Sequence, residues 1–191
     1  RKGAGNMISE KGLITAMKQA YRLSGYEVCH YERNGKRFLI SSSFWFADMP
    51  EKAVPNKVLS LVVEHTGEIP HFGAVKASRS GGAEEAMTDY VLSVLDRTVA
   101  VQLDARAVKY IKTPMTFRGY EIYQAPENLK IMLADAAYTR IINQESAPAP
   151  LGYGNIMVWE AGGELAAAAP LTIAPIPPML SALENIQITE R

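Results

Sequence analysis

Tyr26-Glu27-Val28-Cys29-His30-Tyr31-Glu32-Arg33-Asn34-Gly35-Lys36-Arg37-Phe38-Leu39-Ile40 is the stretch on which the fold turns. Two β-prone runs flank Asn34-Gly35, a residue pair favoured in type I′ hairpins because both central residues need positive φ. A two-residue loop fixes a register: Arg33 faces Lys36, Glu32 faces Arg37, Tyr31 faces Phe38, His30 faces Leu39 and Cys29 faces Ile40. Alternation then puts Cys29, Tyr31, Phe38 and Ile40 on the core face, with Glu32 and Arg37 paired on the other beside His30. Neighbouring strand residues point to opposite faces, so Cys29 and His30 cannot serve one site, and Cys29 reads as a small buried hydrophobe.

Helices are expected on either side of this hairpin. Before it, Ile8 to Ser24 is amphipathic, with Leu13, Ile14, Met17, Ala20 and Tyr21 inward, Ser9 as N-cap and Gly25 as C-cap. After it come Phe44-Trp45-Phe46, which reads as a strand covered on both faces or as one that exposes Trp45 to a partner. Pro55 then suits a first helical position, Val58, Leu59, Leu61, Val62 and Val63 form an apolar stripe, and Gly67 and Pro70 end the helix. Valine lowers helix propensity, so burial against a sheet must hold this segment.

A third helix is expected over about residues 83–95, after a Ser78–Gly82 loop. A phosphate site at that loop is disfavoured by Glu84 and Glu85, which already occupy the positive helix end. From Val99 the chain turns β-prone: Val99–Leu103, Val108–Lys112, Met115–Phe117 and Tyr120–Gln124. Leu129 to Ile142 fits a helix better than a strand by length and alanine content. Asn155–Glu160 and Glu164–Ala169 read as a second hairpin about Ala161-Gly162-Gly163. Residues 165–183 carry no charge and are broken by Pro170, Pro175, Pro177 and Pro178, which excludes a membrane helix and predicts an arm lying across this domain or another subunit.

The expected fold is therefore α+β: a mainly antiparallel sheet with helices packed on one face, and a more β-rich second half ending in a Pro-rich arm. Residues 7–96 form the N-terminal α+β region. Residues 97–191 form the β-rich region, as a second domain or as part of the same one. The six residues before Met7 carry no fold signal; either Met7 is expected near the native start or the six are expected to be a remnant of cloning or processing.

Composition narrows function by exclusion. Net charge is zero, with 20 basic and 20 acidic residues, which argues against an obligate nucleic-acid or acidic-membrane binder. One cysteine excludes an internal disulfide and suits a reducing compartment, so a cytoplasmic location is expected. No apolar run is long enough to span a bilayer. The first 40 residues hold eight Lys/Arg against three Glu, so Lys11, Lys18, Arg22, Arg33, Lys36 and Arg37 are candidates for a nucleic-acid-binding face.

The sharpest chemical candidate is a metal or acid–base site from His65, Glu68 and His71, with Glu64 nearby. Its spacing does not match a helical zinc motif, and Gly67 ends the helix between the histidines. A simpler role for His65 is an imidazolium that complements the helix C-terminus. Nucleophile elbows, Walker loops and Cys pairs are absent, and no cofactor is implied. The leading expectation is a non-enzymatic binding or assembly protein with a protein partner or self-association. Trp45, Pro175, Pro177 and Pro178 are its candidate contacts. Nucleic-acid association and an enzyme centred on His65 and His71 are the alternatives.

Overall fold

The structure is a computed structural model describing residues 6–188. The stretch before Met7, except Asn6, lies outside the described residues. The first half runs α1 (Glu10–Leu23), β1 (Tyr26–Glu32), β2 (Lys36–Ser41), β3 (Trp45–Pro50), α2 (Asn56–Thr66), β4 (Gly73–Ser78), β5 (Gly82–Ala86) and α3 (Thr88–Leu103). The second half adds β6 (Val108–Lys109), β7 (Ile111–Phe117), β8 (Tyr120–Gln124), β9 (Ile131–Ala134), α4 (Ala136–Thr139), β10 (Leu151–Tyr153), β11 (Ile156–Ala161), β12 (Glu164–Ala168) and α5 (Pro178–Leu183). The fold is α+β, as expected.

Nine strands make one antiparallel sheet in the order β5-β4-β1-β2-β3-β12-β11-β10-β6, and β7-β8-β9 make a smaller one. The large sheet draws strands from both halves of the chain, joined where β3 pairs with β12. The expected hairpin about Gly162-Gly163 is β11–β12.

The helix ends follow local chemistry. Ser9 Oγ accepts from the Gly12 amide at 3.1 Å, capping α1. Gly12 is needed there, because a Cβ would fall 1.7 Å from the Arg140 carbonyl oxygen. Gly67 ends α2 in the left-handed region, with φ 86°.

The first hairpin forms, but one residue out of the expected register. Its loop is Arg33-Asn34-Gly35, and the pairs are Glu32↔Lys36, Tyr31↔Arg37, His30↔Phe38, Cys29↔Leu39 and Val28↔Ile40. Asn34 and Gly35 still take the positive φ values, 53° and 104°. The slip moves Phe38 and Ile40 to the face of Val28 and His30. Both faces are covered, so the slip exposes no core residue. Tyr26, Val28, Phe38 and Ile40 pack with α1 and α2. Cys29, Tyr31 and Leu39 pack with Val91 and Leu95 of α3 on the opposite face. The third helix thus lies across the sheet from the other two.

Other boundaries also move. Residues 83–86, expected to open the third helix, belong to edge strand β5 (Gly82–Ala86), and α3 absorbs the expected strand Val99–Leu103. Residues 129–142 contain strand β9 and the short α4 in place of one helix. Trp45 is 5% exposed, so its indole is part of the core. The distal arm folds back on its own chain: Leu180 and Leu183 pack on Ile122 and Leu133 of the small sheet. Gln124 holds it there, with Nε2 donating to the Leu183 and Ile186 carbonyls at 3.1 and 2.9 Å and Oε1 accepting from the Ile188 amide at 2.8 Å.

Candidate functional site

Helix α3 crosses from one edge of the large sheet to the other, since β5 precedes it and β6 follows it. Beneath it, the strand registers align Glu27, Ser41, Phe46, Ala167 and Val158 side by side on β1, β2, β3, β12 and β11. All five therefore share the α3 face. A cleft of about 360 Å³ opens between this row and the helix. Val91, Val94 and Val101 form its helical wall, at the spacings of one helix face. Phe44 and Tyr90, 51% and 66% exposed, stand at its mouth, and Ser42 and Ser43 line the facing loop.

Two formal charges reach the cleft. Glu27 is half-buried and receives only a long contact from Ser41 Oγ, 3.4 Å. Arg97 is exposed and its Nε donates to Ser93 O at 3.3 Å. Sequence reasoning missed both. The only signal was an arginine set among Val94 and Val101 at helical spacing, and the register that brings Glu27 under α3 is tertiary.

The candidate metal site of His65, Glu68 and His71 does not assemble. Among the described residues no group of three His, Cys, Asp or Glu side chains is placed to hold a metal ion. His65 turns inward instead, stacked on Tyr21 with ring centroids 3.8 Å apart. Its Nδ1 is 2.9 Å from the buried Tyr26 hydroxyl. Burial lowers the His65 pKa, with Lys18 acting the same way and Glu64 opposing. The neutral ring is favoured, which corrects the expected imidazolium cap. His71 is exposed, beyond the Gly67 turn, with its ring edge to Phe72.

The third histidine, His30, is a packing element. Its ring lies between Phe38 and Phe72, with centroids at 4.4 and 4.6 Å, and its Nδ1 is 3.1 Å from the Pro70 carbonyl oxygen. Cys29 is buried, and burial, aided by Asp48, pushes its thiol up to about 11, away from a nucleophilic thiolate.

The six basic candidates are divided. Lys11, Lys18 and Arg22 are exposed on α1. Arg37 is committed to buried Asp48, donating through Nε and Nη2 at 2.9 and 2.6 Å, and the Tyr31 hydroxyl donates to the same carboxylate at 2.7 Å. That network replaces the expected Glu32–Arg37 pair. Arg33 pairs with Asp96 of α3 at 2.7 Å, on the face opposite α1. Lys36 sits over the Phe72 ring at 5.6 Å. Pro175 and Pro178 are exposed, and Pro177 caps α5.

No helix among the described residues is long and apolar enough to cross a membrane. No protein-family model matches the chain, and neither the curated proteins nor the solved structures contain a match to it.

Proposed function

We propose that this chain is a binding protein and that the cleft beneath α3 is where it binds. The cleft carries the reading. Its volume of about 360 Å³ falls within the range of small-ligand sites, and its apolar walls with a few polar groups at the margins match their composition. The reading also draws on what the ionisable groups do elsewhere. His30 and His65 are stacked in packing roles, Cys29 is buried, and Asp48 is consumed by Tyr31 and Arg37. Nucleic-acid association draws less support, because Arg33 and Arg37 are already ion-paired.

An apolar fluorophore tests the reading. Anilinonaphthalene sulfonate added to the native protein is expected to bind one saturable site with a blue-shifted emission. Ser43→Trp, a change at an exposed loop position, places an indole in the cleft and is expected to weaken that binding about tenfold, or ~1.4 kcal/mol. Undiminished binding in the variant, with the fold intact by circular dichroism, refutes the cleft as the site.

A further inference from the structure

We infer that the ligand of this cleft is a zwitterion with an apolar body, of the class of a short apolar peptide with free termini. The inference rests on the cleft being the binding site. Its motive is a pair of opposite charges at the cleft that take no part in the chain's own ion pairs. Neither Glu27 nor Arg97 joins an ion pair among the described residues. Lys76 stands opposite Glu27 in the β1–β4 ladder and still closes no such pair.

The two charges come from facing walls of the cleft, Glu27 from the sheet and Arg97 from the helix. Glu27 lies on β1, the third strand from the β5 edge, where α3 begins. Arg97 lies in the C-terminal half of α3, which runs toward the β6 edge. Along the helix it is seven residues beyond Tyr90, a rise of about 10 Å. The floor from β1 to β11 crosses four strand spacings, roughly 19 Å. Much of the remaining lining is apolar, including Phe46, Val94, Val101, Ile156 and Ala167.

A ligand that complements this surface has a cation at one end, a carboxylate at the other and apolar groups between. Glu27 supplies the counter-charge for the cation, and the exposed ring of Tyr90 supplies a face that attracts an ammonium. At the other end the free Nη atoms of Arg97 can grip a carboxylate in parallel hydrogen bonds. Ser42, Ser43 and Asn155 at the margins offer neutral partners for peptide amides. An extended peptide of about four residues spans ~13 Å, shorter than that floor. Fatty-acid-like ligands would leave Glu27 unpaired against their chain, and polyamines would meet Arg97.

The test uses the full chain and the tetrapeptide Ala-Val-Val-Ala in four forms: free, N-acetylated, C-amidated and doubly capped. Calorimetric titration is expected to show the free form binding most tightly, with each cap weakening it about tenfold. Glu27→Gln is expected to abolish the effect of N-acetylation and keep that of amidation, and Arg97→Gln the reverse. Amide chemical shifts of Ser43, Val94 and Ala167 report whether binding occurs in the cleft. If all four forms bind there equally, the zwitterion inference is overturned and the cleft survives as an apolar site. If no form binds while the fluorophore still does, the peptide class is overturned. If neither peptide nor fluorophore perturbs those amides, the cleft itself falls as the binding site.

Discussion

His65 illustrates how packing, more than position on a helix, assigns a histidine its role. It ends α2 close to the helix C-terminus, where an imidazolium would be favoured by the dipole. The Tyr21 ring over one face and the Tyr26 hydroxyl at Nδ1 enclose it instead, and burial depresses its pKa in the fold. The sign of the linkage follows. An unfolded histidine titrates near ~6.5, so just below that pH the unfolded chain holds a proton that the native ring refuses. Stability contributed by His65 is full above about pH 6.5, declines as the pH falls through that value, and levels off below the native pKa. Urea midpoints measured from neutral to mildly acid pH are expected to fall less steeply in His65→Gln than in the wild type. Equal slopes would show that His65 contributes nothing to the pH response. At this scale the sequence was partly legible. The opposed directions of Cys29 and His30 follow from strand alternation in any register. The value of Glu27 and Arg97 does not, because it arises from a row of residues contributed by strands far apart in the chain.

Elements were legible where composition and tertiary setting agree, and not where they conflict. Helices α1 and α2 carry caps and one-sided stripes, and both formed close to their expected bounds. Residues 82–86, Gly-Ala-Glu-Glu-Ala, have weak strand propensity, yet β4 templates them as a charged edge strand. The β1–β2 register was not legible because a sheet buried on both faces has apolar residues at odd and even positions alike. The arm belongs to the same class of problem, since its apolar character calls for cover without naming the surface. Leu180 supplies that cover, being 3% exposed against Ile122 and Leu133. Leu180→Ala is expected to cost about 2–5 kcal/mol, the range for a buried leucine truncation. The loss should centre on the small sheet, with faster amide hydrogen exchange in β8 and β9 and little change in β1 and β2. A uniform loss across both sheets, or none, would mean that α5 does not brace β8 and β9.

At the scale of the whole molecule, the question left by the sequence is whether residues 7–96 and 97–191 are one cooperative unit. The β3–β12 ladder joins them through the pairs Leu165↔Asp48, Ala166↔Ala47, Ala167↔Phe46 and Ala168↔Trp45. The same core cluster contains Trp45 from the first region and Trp159 from the second, and Trp159 meets Tyr123 of the small sheet edge to face at 6.4 Å. Unfolding either region alone would expose one side of that cluster and strip a central strand of its neighbour, so separate unfolding carries a large penalty. The two tryptophans allow this to be measured, because each region holds one of them. Trp159→Phe leaves Trp45 as the reporter of the first region, and Trp45→Phe leaves Trp159 as the reporter of the second. Each variant is its own reference: its fluorescence transition in urea is compared with its far-ultraviolet dichroism transition, which averages both regions. A single unit requires the two transitions to coincide in both variants, with the same midpoint and the same slope. Two units require that at least one tryptophan reports a midpoint displaced from the dichroism curve, since its own region would then unfold apart from the average. Coincidence is the expected result, because the seam runs through the middle of the sheet, where β3 and β12 each have a partner on both sides.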